Sequence, residues 1–198
     1  KEGGNKVKKM IWLTSLFVIF LVFIVPGMLA STLDIIPYGD QPGYNSNQRL
    51  AVYGERTVSQ KFISTEKNLA AIGTSIRNPN LKNKKEIILS LYDEDKNLVR
   101  TSTLNGQNFQ DGDFVKFVFP EISDSEGKIY TFTISSPLAG PEETVEVFYF
   151  GGATENILEY TYDEKSYPGG LPIVTFYKPN SKLEVIKKVY SNWLSRLL

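Results

Sequence analysis

Two patterns of apolar and polar positions divide this chain. From Met10 to Leu33 it runs twenty-four residues without a charge, and from Arg56 onward it breaks into short runs in which apolar and polar residues alternate. The first pattern is that of a helix in lipid. Ile11 to Val25 is apolar on every side apart from Thr14 and Ser15, whose hydroxyls can bond back to their own helix. At about 1.5 Å per residue, about twenty such residues cross a hydrocarbon core about 30 Å thick. The second pattern has a period of two. It predicts strands over Thr57–Ser64, Leu69–Arg77, Lys85–Tyr92, Leu98–Leu104, Asp113–Phe119, Ile129–Ser135 and Thr144–Phe150. Ile87, Leu89 and Leu91 fall on one face of their run, as do Val115, Phe117 and Phe119, and Tyr130, Phe132 and Ile134. Turn clusters such as Asn78-Pro79-Asn80, Asp93 to Asn97, Asn105-Gly106 and Asp124 to Gly127 separate the runs.

After Gly151-Gly152 the pattern loosens, with strand candidates at Ile157–Tyr162 and Leu171–Lys178 and a turn at Pro168-Gly169-Gly170. A helical period then returns. Leu183, Ile186, Val189, Tyr190, Trp193, Leu194 and Leu197 make one stripe, and Ser181-Lys182-Leu183-Glu184 fits a capping box. Such a helix can lie in the interface of a membrane or pack on the neighbouring domain. The expectation is a mainly β protein: an antiparallel, jelly-roll-like β-sandwich with an N-terminal transmembrane helix and a C-terminal amphipathic helix. Its parts are a cytoplasmic basic tail (1–9), the transmembrane helix (10–33), a juxtamembrane linker (34–55), an extracytoplasmic sandwich (56–180) and the amphipathic helix (181–198). The linker is expected because Pro, Gly and Asn mix there without a sustained period.

Charge orients the chain. Residues 1–9 hold four lysines against one glutamate, so the N-terminus is expected in the cytoplasm and the body outside. A cleaved signal peptide shares the basic flank. The length of the apolar run and the bulky Met28 in Met28-Leu29-Ala30 favour a retained anchor, with Pro26-Gly27 loosening its outer end. Lys8, Lys9, Trp12, Tyr38, Tyr190 and Trp193 are the expected interface residues. The chain begins at Lys1, as a piece of a longer protein would, and its last helix can lead toward a further span. Residues 34–180 carry a net charge of −6, which disfavours nucleic acid as a partner. The expected partners are the lipid bilayer and a glycan or an envelope protein.

Chemistry is thin. The sequence has no cysteine and no histidine, so Ser-His-Asp and Cys-His catalysis are excluded within it. No glycine-rich phosphate loop links a strand to a helix, and no pair of glutamates stands out as a glycosidase pair. Asp93-x-Asp95-x-Asn97 opens like a calcium loop, but Leu98 and Leu104 stand where that loop needs Gly and Glu, so a hairpin turn is expected. Asp111, Asp113, Asp124 and Glu126 are the nearest cluster for calcium; no other cofactor is implied. A sugar site needs an exposed aromatic platform. Both tryptophans fall outside the sandwich, which leaves Tyr92, Tyr149, Tyr160, Tyr162, Tyr167 and Tyr177.

Gln60-x-Phe62, Asn68-Leu69-x-x-Ile72, Ile87–Tyr92, Asp111-Gly112-Asp113-Phe114-Val115-x-Phe117-x-Phe119-Pro120 and Gly127-x-x-Tyr130-x-Phe132-x-Ile134-Ser135-Ser136 occur in this order. Gly169-Gly170 then precedes Phe176-Tyr177 and a basic amphipathic stretch. Over roughly Thr57–Leu198 the chain resembles an extracytoplasmic β-sandwich module of bacterial multi-spanning, glycosyltransferase-like membrane proteins. The resemblance implies a carbohydrate-binding-like jelly roll at the cell envelope, with no catalytic residue in this part. Three expectations follow: a non-catalytic module binding glycan or a protein partner, an accessory domain of a membrane glycosyltransferase, and a structural filament or surface-layer subunit.

Overall fold

The computed structural model describes residues 2–108, 112–152 and 154–195, and the side chains of these except 2–6, 26, 29, 113, 192 and 193. They form two compact units. A helical unit draws on both ends of the chain, up to Ile36 and from Pro179, and a β unit spans Pro37–Lys178.

The helical unit opens with α1 (Glu2–Ile19), widens into a π-helical turn at Phe20–Ile24 and continues as α2 (Val25–Ser31). The wide turn has a local cause. Pro26 has no N–H to close an ordinary helical bond, and just before it the Val25 N–H reaches five residues back to the Phe20 carbonyl. Val7–Ile24 has a mean hydropathy of 2.1 with none of it buried, and among the described residues it is the one helix long and apolar enough to cross a membrane. Thr14 and Ser15 donate to the Met10 and Ile11 carbonyls at 2.9 Å, which satisfies both hydroxyls without water.

The C-terminal helix α3 (Lys182–Ser195) starts at its expected cap: Ser181 Oγ accepts the Glu184 N–H at 3.2 Å. Glu184 reaches back one residue beyond that cap, accepting the Asn180 N–H at 2.9 Å. Within the helical unit α3 packs on the end of the apolar helix, where Val185 is buried with Ala30 and Ile36. Lys182 donates to the Leu33 carbonyl (3.1 Å) and to Asp34 (3.3 Å), and the Tyr190 hydroxyl donates to the Phe23 carbonyl. The buried edge centres on Val185, while Leu183 and Leu194 of the expected stripe stay exposed.

The β unit is an antiparallel sandwich of two six-stranded sheets. In the first, β4 (Leu69–Arg77) is central, with β7 (Asp113–Ile122) along one edge. Along its other edge β12 (Ile173–Tyr177) and β9 (Val145–Phe148) lie end to end, since Thr74 pairs with both Ile173 and Val115 and Ile76 with both Val147 and Asp113. β1 (Ile36–Tyr38) adds to β12, and β2 (Arg49–Val52) adds to β9. The second sheet runs β11 (Lys165–Pro168), β10 (Ile157–Tyr162), β3 (Val58–Ile63), β8 (Ile129–Ser135), β5 (Glu86–Tyr92), β6 (Leu98–Asn105). From β2 to β5 and again from β6 to β10 the chain changes sheet at every step, which is the jelly-roll-like character the alternation predicts.

The core lies between the sheets. Phe62, Ile87, Leu89, Leu91, Phe132 and Ile134 of the second sheet meet Val52, Ile72, Ile76, Phe117, Val145 and Val147 of the first, all at or below 1 % exposure. Each such side chain contributes about 1.5–3 kcal/mol by leaving water. Where the sheets' edge strands β6 and β7 meet, Arg100 donates to the Pro120 (2.8 Å) and Glu121 (3.0 Å) carbonyls, and Ser102 donates to the Val118 carbonyl at 2.8 Å. These bonds occupy edge acceptors that would otherwise invite another strand.

The stretch read as a linker (34–55) is partly body. β2 pairs in register from Arg49↔Phe148 to Val52↔Val145, and Gln41 and Tyr44 fasten the segment before it. Gln41 donates to Ser75 Oγ (2.9 Å) and the Pro172 carbonyl (2.7 Å), and Tyr44 donates to Ser75 Oγ (3.1 Å) with its ring 4.8 Å from that of Phe148. Four alternating residues, Arg49 to Val52, are too short a run to announce a strand. β11 escaped for another reason: all four of its residues are exposed, with no alternation of buried and open positions, and it is held by a hairpin whose Asp163 and Glu164 both have positive φ.

Candidate functional site

The outer face of the second sheet is where polar side chains collect. Along β3 the inward residues Val58, Gln60 and Phe62 are buried, so Ser59, Lys61 and Ile63 point out; β8 likewise turns Ile129, Thr131, Thr133 and Ser135 outward. Strand register then sets the rows. Ser166 pairs with Thr161, Thr161 with Ser59, Ser59 with Thr133, Thr133 with Ser90, and Ser90 with Thr101. One hydroxyl from each of the six strands therefore stands in a single row straight across the sheet. Ser59 and Thr133 share a hydrogen bond of 2.8 Å, and Thr161 and Ser166 one of 3.4 Å.

The next row on that face is Glu159, Lys61, Thr131 and Tyr92. With the turn residues Asp93, Glu94 and Lys96 on one side, it forms a groove of about 500 Å³. The turn is rigid. Asp93 accepts the Asn97 backbone N–H (2.8 Å) and side-chain N–H (3.1 Å), and these bonds, the backbone one first, hold its carboxyl below the usual carboxylate range. Beneath the groove sits Gln60, fully buried, donating to the Lys61 (2.7 Å) and Glu159 (2.8 Å) carbonyls and accepting the Leu171 N–H at 2.8 Å. It ties β3 to β10 at the irregular step between Ile157 and Glu159.

Of the six tyrosines considered for a platform, Tyr92 lies on this groove. Tyr149, Tyr160 and Tyr167 stack instead on one another, at 5.5 and 5.3 Å between ring centroids, with Tyr160 buried and its hydroxyl pKa raised by that burial. Tyr162 donates to the Ala51 carbonyl at 3.1 Å, and burial raises its pKa too. Tyr177 is buried with its hydroxyl accepting the Thr65 N–H at 3.1 Å, and its ring meets Tyr38 edge-on at 6.2 Å. Tyr160 and Tyr177 have no open ring face.

Of the acidic cluster, two members can be placed. Asp111 lies outside the described residues, as does the Asp113 side chain. Asp124 is bound by Lys128, which lowers its pKa, and Glu126 faces Lys67 at 3.8 Å. Among the described residues no three acidic side chains gather where they could hold a metal ion. Of the interface residues, Trp12 is exposed on α1 with Lys8 and Lys9, Tyr38 lies on β1, and the Trp193 side chain lies outside the described set. A second, smaller cleft of about 250 Å³ opens between Tyr38, Asp40, Thr65, Glu155, Asn156 and Thr175.

No protein-family model matches this sequence. No curated protein matches it either. Among solved structures the chain is similar to a family two carbohydrate esterase from Cellvibrio japonicus (10 % identity, TM-score 0.33) over 76 % of this chain and 32 % of the esterase chain. It is also similar to the xylan-binding module CBM15 (10 % identity, TM-score 0.38), over 73 % of this chain and 95 % of the module. The chain thus spans about a third of the esterase's length. At these scores the likenesses add nothing to the two-sheet architecture already described.

Proposed function

We propose that this protein is a membrane-anchored, non-catalytic β-sandwich that binds glycan at the cell envelope through the outer face of its second sheet. The observation that carries this reading is the groove itself: Tyr92, Lys61, Thr131, Thr161 and Glu159, beside an unbroken row of hydroxyls. A sugar is both polar at its hydroxyls and apolar at its ring faces. Short, fixed hydroxyls and a tyrosine on rigid strands suit it without the entropy cost of ordering long side chains. The apolar helix supports the anchor, and the four N-terminal lysines support a cytoplasmic start with the body outside.

One observation fits the module as an accessory part of a larger membrane protein. The helical unit uses both ends of the chain, so the β unit is an insertion between helical segments.

The test uses the full chain in lipid nanodiscs over an array of immobilised polysaccharides. The reading expects retention on at least one polysaccharide, weakened about tenfold by Tyr92→Ala. Folded protein that binds nothing on the array overturns it.

A further inference from the structure

We infer that the ligand of this face is an uncharged, extended glycan strand lying along the hydroxyl row, perpendicular to the β-strands. The inference rests on the glycan-binding reading above and goes further by fixing charge, direction and length.

The row is continuous. Ser166, Thr161, Ser59, Thr133, Ser90 and Thr101 are directly paired from one sheet edge to the other, with no charged or bulky residue between them. All six are partly or fully exposed. Five intervals of about 4.8 Å between strands give a track of about 24 Å, the reach of about five pyranose rings joined end to end. Serine and threonine hydroxyls donate and accept alike, so each can meet a sugar hydroxyl in either sense as the chain passes. The adjacent row is electrically balanced: Glu159 pairs directly with Lys61 across β10 and β3. Nothing along this track offers the concentrated positive charge that a uronate, sulfate or phosphate polymer needs.

The orientation also follows from relief. The outward row is made of short side chains from end to end, so it stands low on this face. Tyr92 and the Asp93 to Lys96 turn stand beside it as a bank.

The experiment takes full-length protein in nanodiscs and compares neutral with uronate-bearing polysaccharides on one array, then titrates oligomers of the tightest binder. The inference expects neutral chains to be preferred, with affinity rising with length and levelling off near five units. The triple variant Ser59→Ala, Thr133→Val, Ser90→Ala removes three hydroxyls with little change in shape and is expected to lose at least about tenfold in affinity. Its circular dichroism and melting curve report whether the sheet is intact; should the triple variant not fold, Thr133→Val alone is expected to lose about threefold. Binding that prefers uronates, that saturates at one or two units, or that survives hydroxyl removal in folded protein overturns the inference while leaving glycan binding standing. A blank array overturns both.

Discussion

Replacing Gln60 with leucine isolates the polar tie beneath the groove. Gln60 is fully buried and makes three hydrogen bonds, to the carbonyls of Lys61 and Glu159 and from the N–H of Leu171, itself fully buried. Leucine keeps the volume but leaves the Leu171 N–H without its partner, at about 1–3 kcal/mol, and removes one bond from each carbonyl at about 0.5–1.5 kcal/mol. Burying an apolar group in place of an amide returns part of this, so the net loss is about 3 kcal/mol. For a chain of this size that lowers Tm by about 6–12 °C. Gln60→Glu adds a sign to the test. A buried carboxyl has its folded pKa raised, so the stability of that variant is greatest at low pH and falls as pH rises through the raised value. Urea unfolding of the full chain in detergent micelles reads both. A leucine variant within about 1 kcal/mol of the parent, together with a glutamate variant insensitive to pH, refutes the reasoning.

Four further outcomes follow from the same geometry. Gly169→Ala forces a Cβ at a φ of +105° to within 2.1 Å of the Phe150 carbonyl oxygen, whereas at Gly73 the obstacle is the mobile end of the half-exposed Phe114 ring; melting curves should show the first variant as clearly the less stable. The carboxyls of Asp93, Glu121 and Asp124 are held low, chiefly by Asn97, Lys178 and Lys128, so their contribution is present above about pH 4 and lost as pH falls below it; with no histidine in the sequence, the unfolding midpoint should be flat from about pH 5 to 8. Ser181→Ala removes the α3 cap and should cost that helix about 1 kcal/mol, read as faster amide exchange in its first turn. Protease added outside intact cells should digest the β unit, and protection there with cleavage after permeabilisation would reverse the assigned orientation.

Much of the fold was legible because period two is a local signal. β4, β8 and β10 coincide with the runs read from the sequence, and the inward triplets of β5, β7 and β8 are buried as their alternation requires. β1, β2 and β11 were not legible: they are three or four residues long and owe their state to neighbours, β2 to β9 and β11 to its hairpin with β10. The site was legible only by halves. Alternation alone marks Ser59, Thr133 and Thr161 as outward, yet which strands lie side by side depends on long-range pairing between segments far apart in the chain. The hydroxyl row exists only once β10, β3, β8 and β5 are neighbours. Tyrosines drew attention by type, and most of them proved to be packed, because a ring of that size is worth more in the core than on the surface.

Amide hydrogen exchange of the full chain in nanodiscs, with and without the bound polysaccharide, tests the central claim most directly. The account predicts slowed exchange in β10, β3, β8 and β5, strongest around Thr161, Ser59, Thr133 and Ser90, with the first sheet unchanged. Protection confined to the cleft around Tyr38, Glu155 and Asn156, or to the first sheet, would contradict it.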